Sequence, residues 1–329
     1  MRRIIGLTLA VLGVLLIVAA VSLPTWVTTM VVKFPLDERQ TATLTASNAS
    51  YFSQKSLTER TGVTIQATYA ITGDPGKGSS SVAVWSQVST VTDVTNHEQI
   101  SRTTRTFAFD RRTAQLVDCC GASVNGDKSV HQAGTLGSVF PFGTQKQTYQ
   151  VYDPTLKRTA PFTYTGTGTV NGIPVYVFTQ DVAPTQVATL PVPGALLGLK
   201  AAVVMMGEFD QQHQVYSVDP QTGALVNVED HQIVTLRDPA TRAIAKVVYD
   251  ADLTVTPQTL KTVTALDSSG RDTQELLTTI LPITFGVVGG ALLAAGIILV
   301  ARGRRGGERS ADGTQVSAAA AGSPAPGEN

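Results

Sequence analysis

The chain is poor in the side chains that usually carry chemistry. Its 329 residues include two cysteines, four histidines and two tryptophans. His97, His131, His213 and His231 lack the i, i+4 spacing of a helical zinc site, and no further ligands can be placed beside the cysteines. There is no Gly-x-Ser-x-Gly elbow and no glycine-rich phosphate loop. These absences argue against an enzyme and leave no catalytic residue, metal or cofactor to name. Charge is scarce as well. Charged residues make up 15%, with 25 basic and 25 acidic side chains and a net charge of zero. A neutral chain without a basic tract gives nucleic acid nothing to bind.

What the sequence does hold is two long uncharged runs. Ile4 to Val32 carries no charge, and Leu276 to Ala301 is a second such run. Each is long enough to cross a hydrocarbon core of roughly 30 Å as a helix. Pro282 and the glycines of the second run are tolerated in membrane helices. A cleaved signal peptide is the rival for the first run, but the apolar stretch continues past Ala19-Ala20 to Val27. Arg2 and Arg3 precede the first run; Arg302, Arg304, Arg305 and Arg309 follow the second. The inner flanks are mixed in sign, so the positive-inside rule predicts a two-pass protein of the cell membrane. Both termini are then cytoplasmic and the main domain extracytoplasmic. The expected domains are an anchor over 1–32, a β-rich domain over 33–275, a helix over 276–301 and a tail over 302–329. The tail, rich in Gly, Ala, Ser and Pro, is expected to be disordered.

The middle of the chain alternates Thr, Val, Tyr and Phe with polar residues. Examples are "GVTIQATYAIT" (62–72), "SVAVWSQVSTVT" (81–92) and "AIAKVVYDADLTVT" (243–256). Period-two alternation between turn residues predicts antiparallel strands. The fold class expected is mainly β, a meander or barrel-like sheet with a few short helices, anchored by a transmembrane helix at each end. Candidate helices are Asn48–Thr58 and Leu190–Met206. Asp110-Arg-Arg-Thr-Ala, Asp219-Pro-Gln-Thr-Gly and Asp238-Pro-Ala-Thr-Arg each sit between two strand-like runs. Asp first and Pro second suit a type I turn, so these are read as hairpin turns. Glu229-Asp230-His231 reads as a solvated strand face, because neighbours in a strand point to opposite sides.

Two features bear on function. "ATLPVPGALLGLKAAVVMM" (188–206) is the most apolar stretch outside the anchors and carries one charge, Lys200. It is either a buried core helix or an apolar wall for a lipid tail, lined by Leu196, Leu197, Leu199, Val203, Met205 and Met206. The other feature is the adjacent pair Cys119–Cys120. Outside the membrane thiols are oxidised. Cα atoms across a trans peptide lie about 3.8 Å apart, below the usual disulfide range, so a bridge between neighbours needs a distorted peptide. The reading favoured is a vicinal disulfide at a rigid hairpin tip; two buried free thiols, a redox switch or a metal site are the alternatives.

The segments "FPLDERQTATLTASNASYF" (34–52), "FAFDRRTAQLVDCCGASVNGD" (107–127) and "VFPFGTQKQTYQVYDPTLKRTAPFTYTGTGTVNGIPVYVFTQ" (139–180) closely resemble the actinobacterial PorA-type family. The resemblance runs from the first apolar run to the second. Its members are catalogued as porins, and such ectodomains are similar to scavenger-receptor lipid-binding ectodomains. Where relatives carry a polar loop after the "LPVPGALLGL" stretch (190–199), this chain has "KAAVVMMGEF". The resemblance thus implies an envelope protein with two anchors and one outer β domain. The expected function is non-catalytic binding of a membrane lipid or lipid-linked glycan in the cell envelope. A porin-like pore or an envelope scaffold is the alternative. Membrane-protein partners are expected through the helices.

Overall fold

A computed structural model describes residues 2–27 and 32–311. The chain divides into two compact units, residues 32–272 and the remainder at its two ends.

The larger unit is one 12-stranded antiparallel sheet followed by a helix. Its strands are β1 (Arg39–Ser53), β2 (Thr58–Gly73), β3 (Val82–Asp93), β4 (Glu98–Asp110), β5 (Leu116–Val117) and β6 (Ser123–Val124). They continue with β7 (Tyr149–Asp153), β8 (Arg158–Val170), β9 (Ile173–Pro193), β10 (Val203–Val218), β11 (Leu225–Arg237) and β12 (Ile244–Val255). The spatial order is β5-β4-β3-β2-β1-β12-β11-β10-β9-β8-β7, with β6 also paired to β4. Two meanders are therefore joined where the first strand pairs with the last, Leu44 opposite Val255 and Tyr51 opposite Tyr249. The sheet curls until its edges meet. Thr135 bridges to Gln115, next to β5, and to Val151 in β7. The guanidinium of Arg105 on β4 lies 4.9 Å from the ring centre of Tyr152 on β7.

The hairpin turns are as the sequence predicts, and more numerous. Asp110 and Asp238 each accept hydrogen bonds from the N–H groups two and three residues on, and Asp219 accepts one from Gln221. Asp93 and Asp153 do the same. The residue four after each aspartate, His97, Ala114, Lys157, Gly223 or Arg242, has positive φ. This left-handed step completes the reversal.

Both candidate helices are overturned. Asn48–Thr58 is the end of β1 and its turn into β2. Asn48 sits at φ 60 in a bulge, after which Ala49, Tyr51 and Ser53 are buried alternately. Buried alternation of period two is a strand signature, and the bulge hid it. Leu190–Met206 is the end of β9, a single 3-10 turn at Gly194–Leu197 and the start of β10. Pro191 and Pro193 face Met205 and Val203 across the ladder, and proline in a helix interior would cost about 3 kcal/mol.

The helix after β12 was not anticipated. α2 (Pro257–Glu275) starts behind Thr256, whose Oγ1 accepts from the Thr259 N–H, with proline at the first helical position. It docks on the β10–β11 turn. Arg271 Nη1 donates to both carboxylate oxygens of the buried Asp219, at 2.8 and 2.9 Å, and the Thr222 hydroxyl bonds Asp267.

The smaller unit contains α1 (Arg2–Ser22), a π-helical turn at Leu23–Val27, another at Leu276–Ile280, and α3 (Leu281–Ala311). Ile4–Thr25 and Pro257–Arg302 are long and apolar enough to cross a membrane. The helix continues past Ala301 to Ala311; the rest of the expected tail, 312–329, lies outside the described residues. α1 and α3 pack through small residues. A Cβ on Gly13 would lie 2.6 Å from the Gly289 carbonyl oxygen, and one on Gly296 2.6 Å from that of Gly6. Only glycine permits such backbone approach in lipid. Gly290 meets nothing within 4 Å, so the contact does not use the Gly286–Gly290 pair with its spacing of four. Gly289→Leu is expected to abolish an engineered cysteine cross-link between α1 and α3, and Gly290→Leu to leave it intact. Equal cross-linking in both variants would contradict this packing.

Candidate functional site: the inner face of the curled sheet

The apolar stretch 188–206 does not form one wall. Met206 is buried with Val192 and Leu236, and Leu196 and Leu197 pack against that cluster. Leu199, Val203 and Met205 point away from it and are 48%, 59% and 51% exposed. Cys119 and Cys120 form a disulfide with their Cα atoms 3.8 Å apart, followed by Gly121 at φ 83. Both cysteines lie between β5 and β6.

Sequence reasoning missed a polar interior. Register across β9 to β12 puts three rows of side chains on the inner face. Gln180, Gln214 and Asp230 form one row, Val182, Gln212, Gln232 and Ala251 the next, and Thr185, Asp210, Val234 and Tyr249 the third. The intervening residues point outward. His213 pairs with Asp181 at 2.7 Å and His231 with Asp250 at 3.3 Å, all substantially exposed. Thr163, Thr165, Thr167 and Thr169 of β8 and Arg102 and Thr104 of β4 are exposed as well. A barrel that crosses a membrane by its strands needs the opposite arrangement, an apolar band outside. The strands of this chain are built to stand in water.

The inner face is buried or half-buried and only partly hydrogen-bonded. Asp210, fully buried, accepts from Gln212 Nε2 at 2.5 Å and Gln232 Nε2 at 2.7 Å. Gln180 is 1% exposed, yet neither its Oε1 nor its Nε2 has a partner within the chain. The same holds for Gln212 Oε1, Asp230 Oδ1 and the Tyr249 hydroxyl. Leaving one such group unbonded costs about 1–3 kcal/mol, against a typical total stability of about 5–15. Native proteins therefore give such groups water or a ligand.

Tyrosines complete the face. Tyr69 on β2 and Tyr216 on β10 both lie within electrostatic reach of Asp230 on β11, and burial raises both phenols well above their ordinary pKa. Among the described residues no three His, Cys, Asp or Glu side chains converge closely enough to hold a metal ion. The face can hydrogen-bond a polar guest, and it offers no nucleophile paired with a base.

Burial also raises the acids. Asp210 and Asp230 are each pushed up to about 6, mainly by loss of solvent, with neighbouring carboxylates adding to it and glutamine hydrogen bonds opposing it. Asp153 is raised for the same first reason. An acid whose folded pKa exceeds its unfolded value, about 3.9, stabilises the fold fully below that value and loses this as pH rises through the folded one. The melting temperature of the full chain in detergent should therefore fall between pH 4 and 7. Asp230→Asn should flatten that fall. A wild-type melting temperature that rises across the window, or a variant with an unchanged profile, would show that these acids are not buried as described.

A comparison with curated proteins finds no match. The family of porin PorA matches residues 5–298, from within α1 through the sheet to within α3. That span takes in both apolar helices and the whole inner face. With two helices able to cross a membrane and a match over nearly all its length, the chain is membrane-associated and belongs to the porin PorA family.

Proposed function

We propose that the chain is a non-catalytic, porin-like envelope protein in which the inner face of the sheet, rather than the helices, meets the solute. On this reading α1 and α3 anchor it with both termini cytoplasmic and the sheet outside. The observation that carries the reading is Gln180, almost completely buried with a carboxamide unbonded by the chain, in a row with Asp230. A lipid tail would leave those groups unsatisfied, so the interior favours a hydrophilic solute over the lipid of the sequence-based expectation. Within one copy the helices supply no path of their own, so on this reading passage across the bilayer needs several copies together. From Gly286 to Val300 α3 presents only Gly, Ala, Leu, Ile and Val, the Thr284 hydroxyl before it bonds back to its own helix, and the closest approach to α1 is backbone on backbone. A water-filled passage needs polar lining.

Reconstitution of the full chain in planar bilayers tests this. We expect a conductance that the double substitution Gln180→Leu, Asp230→Leu reduces at least tenfold while the variant still inserts. A chain that inserts and conducts nothing would refute the porin-like reading. Conductance untouched by the double substitution would move the path to the helices.

A further inference from the structure

The inner face has a chemical bias that names the class of guest, an inference that rests on the reading above. Along β9 to β12 its unbonded atoms are mostly acceptors: Gln180 Oε1, Gln212 Oε1 and Asp230 Oδ1, against one committed donor, Gln180 Nε2, and the Tyr249 hydroxyl, which can serve either way. Three carboxyl groups, Asp153, Asp210 and Asp230, act on one another across it. Among the described residues none of the three forms an ion pair with a lysine, arginine or histidine. A buried cation on β4, Arg105, acts on Asp153 and leaves its Nη2 unbonded, but it is not within ion-pair distance of any of the three. Its Nε donates to Gln132 at 2.7 Å, and its guanidinium lies over the rings of Phe107 and Tyr152.

A guest that satisfies this face must bring hydrogen-bond donors and positive charge. A lone metal ion does not fit, because the acids do not converge. Asp210 and Asp230 are on adjacent strands, with Asp230 four residues from Val234, the partner of Asp210. At about 3.3 Å per residue that offset is roughly 13 Å along the strand. Two separated carboxylates call for two separated cationic groups. Between them lie Gln212, Gln214 and Gln232, whose amides accept N–H donors, with Tyr216 and Tyr249 at either end of the rows. Tyrosine faces attract ammonium groups, each contact worth about 0.5–2 kcal/mol.

We propose that the inner face of β9 to β12 binds a linear organic cation carrying at least two ammonium groups, one set against Asp230 and Gln180 and the other against Asp210. The buried, unbonded Gln180 points to the guest independently of the acids. It is fixed beside Gln214 by the β9–β10 register and spends none of its hydrogen-bonding capacity on the protein.

Isothermal titration of the full chain in detergent tests the proposal, with spermidine as probe and ethylammonium, magnesium chloride, glucose and sodium chloride of matched ionic strength as controls. Spermidine is expected to bind saturably and at least tenfold more tightly than ethylammonium. Asp230→Asn should weaken it at least tenfold, in line with the loss of one charge-assisted hydrogen bond. Tyr249→Phe removes a single hydroxyl and preserves the ring, so it should fold and weaken binding severalfold even where Asp230→Asn does not fold. No heat beyond that of sodium chloride overturns the proposal. So does binding of glucose that depends on the same residues, since the guest is then a neutral polyol. Spermidine binding unchanged in folded Asp230→Asn and Tyr249→Phe overturns it too, because the site then lies elsewhere. Bilayer conductance without spermidine binding would remove this inference and leave the porin-like reading standing.

Discussion

The pairing of β1 with β12 is the constraint on which the rest depends. Each meander alone is a twisted ribbon of strands with two edges. Joining the first strand to the last makes one sheet long enough to curl until Gly134–Leu136 can bond to both outer edges. It also sets Leu44 beside Val255, so the chain enters and leaves the domain on neighbouring strands. Thr43 reinforces the junction, donating its N–H to Thr259 Oγ1 at the start of α2 and accepting from the Thr256 N–H. One ladder thus accounts for the inner face and for the adjacency of the two chain ends.

Apolar packing around that ladder supplies the stability that a polar interior costs. Leu44, Ala46, Val63, Ile65, Ala67, Ala251 and Leu253 bury the junction of β1, β2 and β12. A second cluster stacks Trp85, Phe107, Phe109 and Phe34 in contacts of 4.7–6.4 Å between ring centres. A third packs Phe140, Tyr149, Phe162 and Phe178 under β7 to β10. Aromatic pairs of this kind add about 0.5–1.5 kcal/mol each beyond their buried area. The glutamines and aspartates of β9 to β11 lie between these clusters. A sheet meant only as a scaffold would gain stability by replacing Gln180 with leucine or valine, because a buried amide without a partner is a net loss. The presence of Gln180 is the physical argument that the interior is used.

Much of the architecture was legible. The uncharged runs, the strand alternation and the aspartate-led turns each carry a local signal, and each appears where the sequence places it. Asp93 and Asp153 follow the same turn logic and could have been read from Asp153-Pro-Thr and from Asp93 four before His97. Thr256-Pro257 could have announced α2. The inner face was not legible. In "DQQHQ" (210–214) both strand faces are polar, so alternation cannot say which side is buried. Only the curl, set by contacts between strands far apart in sequence, turns Asp210 and Gln212 inward and His213 outward. Small residues four apart, Gly6 and Ala10 on the first run and Gly286 and Gly290 on the second, predict that the two helices touch, and they do, with Gly6 and Ala10 in the contact; on the second helix it is Gly289 and Gly296, not Gly290, that meet them. The 188–206 stretch shows the limit of composition. Its apolarity is real, yet two prolines and a strand register divide it between a core cluster and the exterior.

The central claim is that the buried polar face admits a cationic guest from water. The most direct measurement is thiol labelling of Gln180→Cys in the membrane-embedded chain, with Cys119 and Cys120 replaced by serine, using methanethiosulfonate reagents of opposite charge. The account predicts that the trimethylammonium reagent labels residue 180 and does so faster than the sulfonate reagent. A residue 180 that stays unlabelled in the folded protein, or that reacts faster with the sulfonate, would mean a sealed core or one open to anions, and would contradict it.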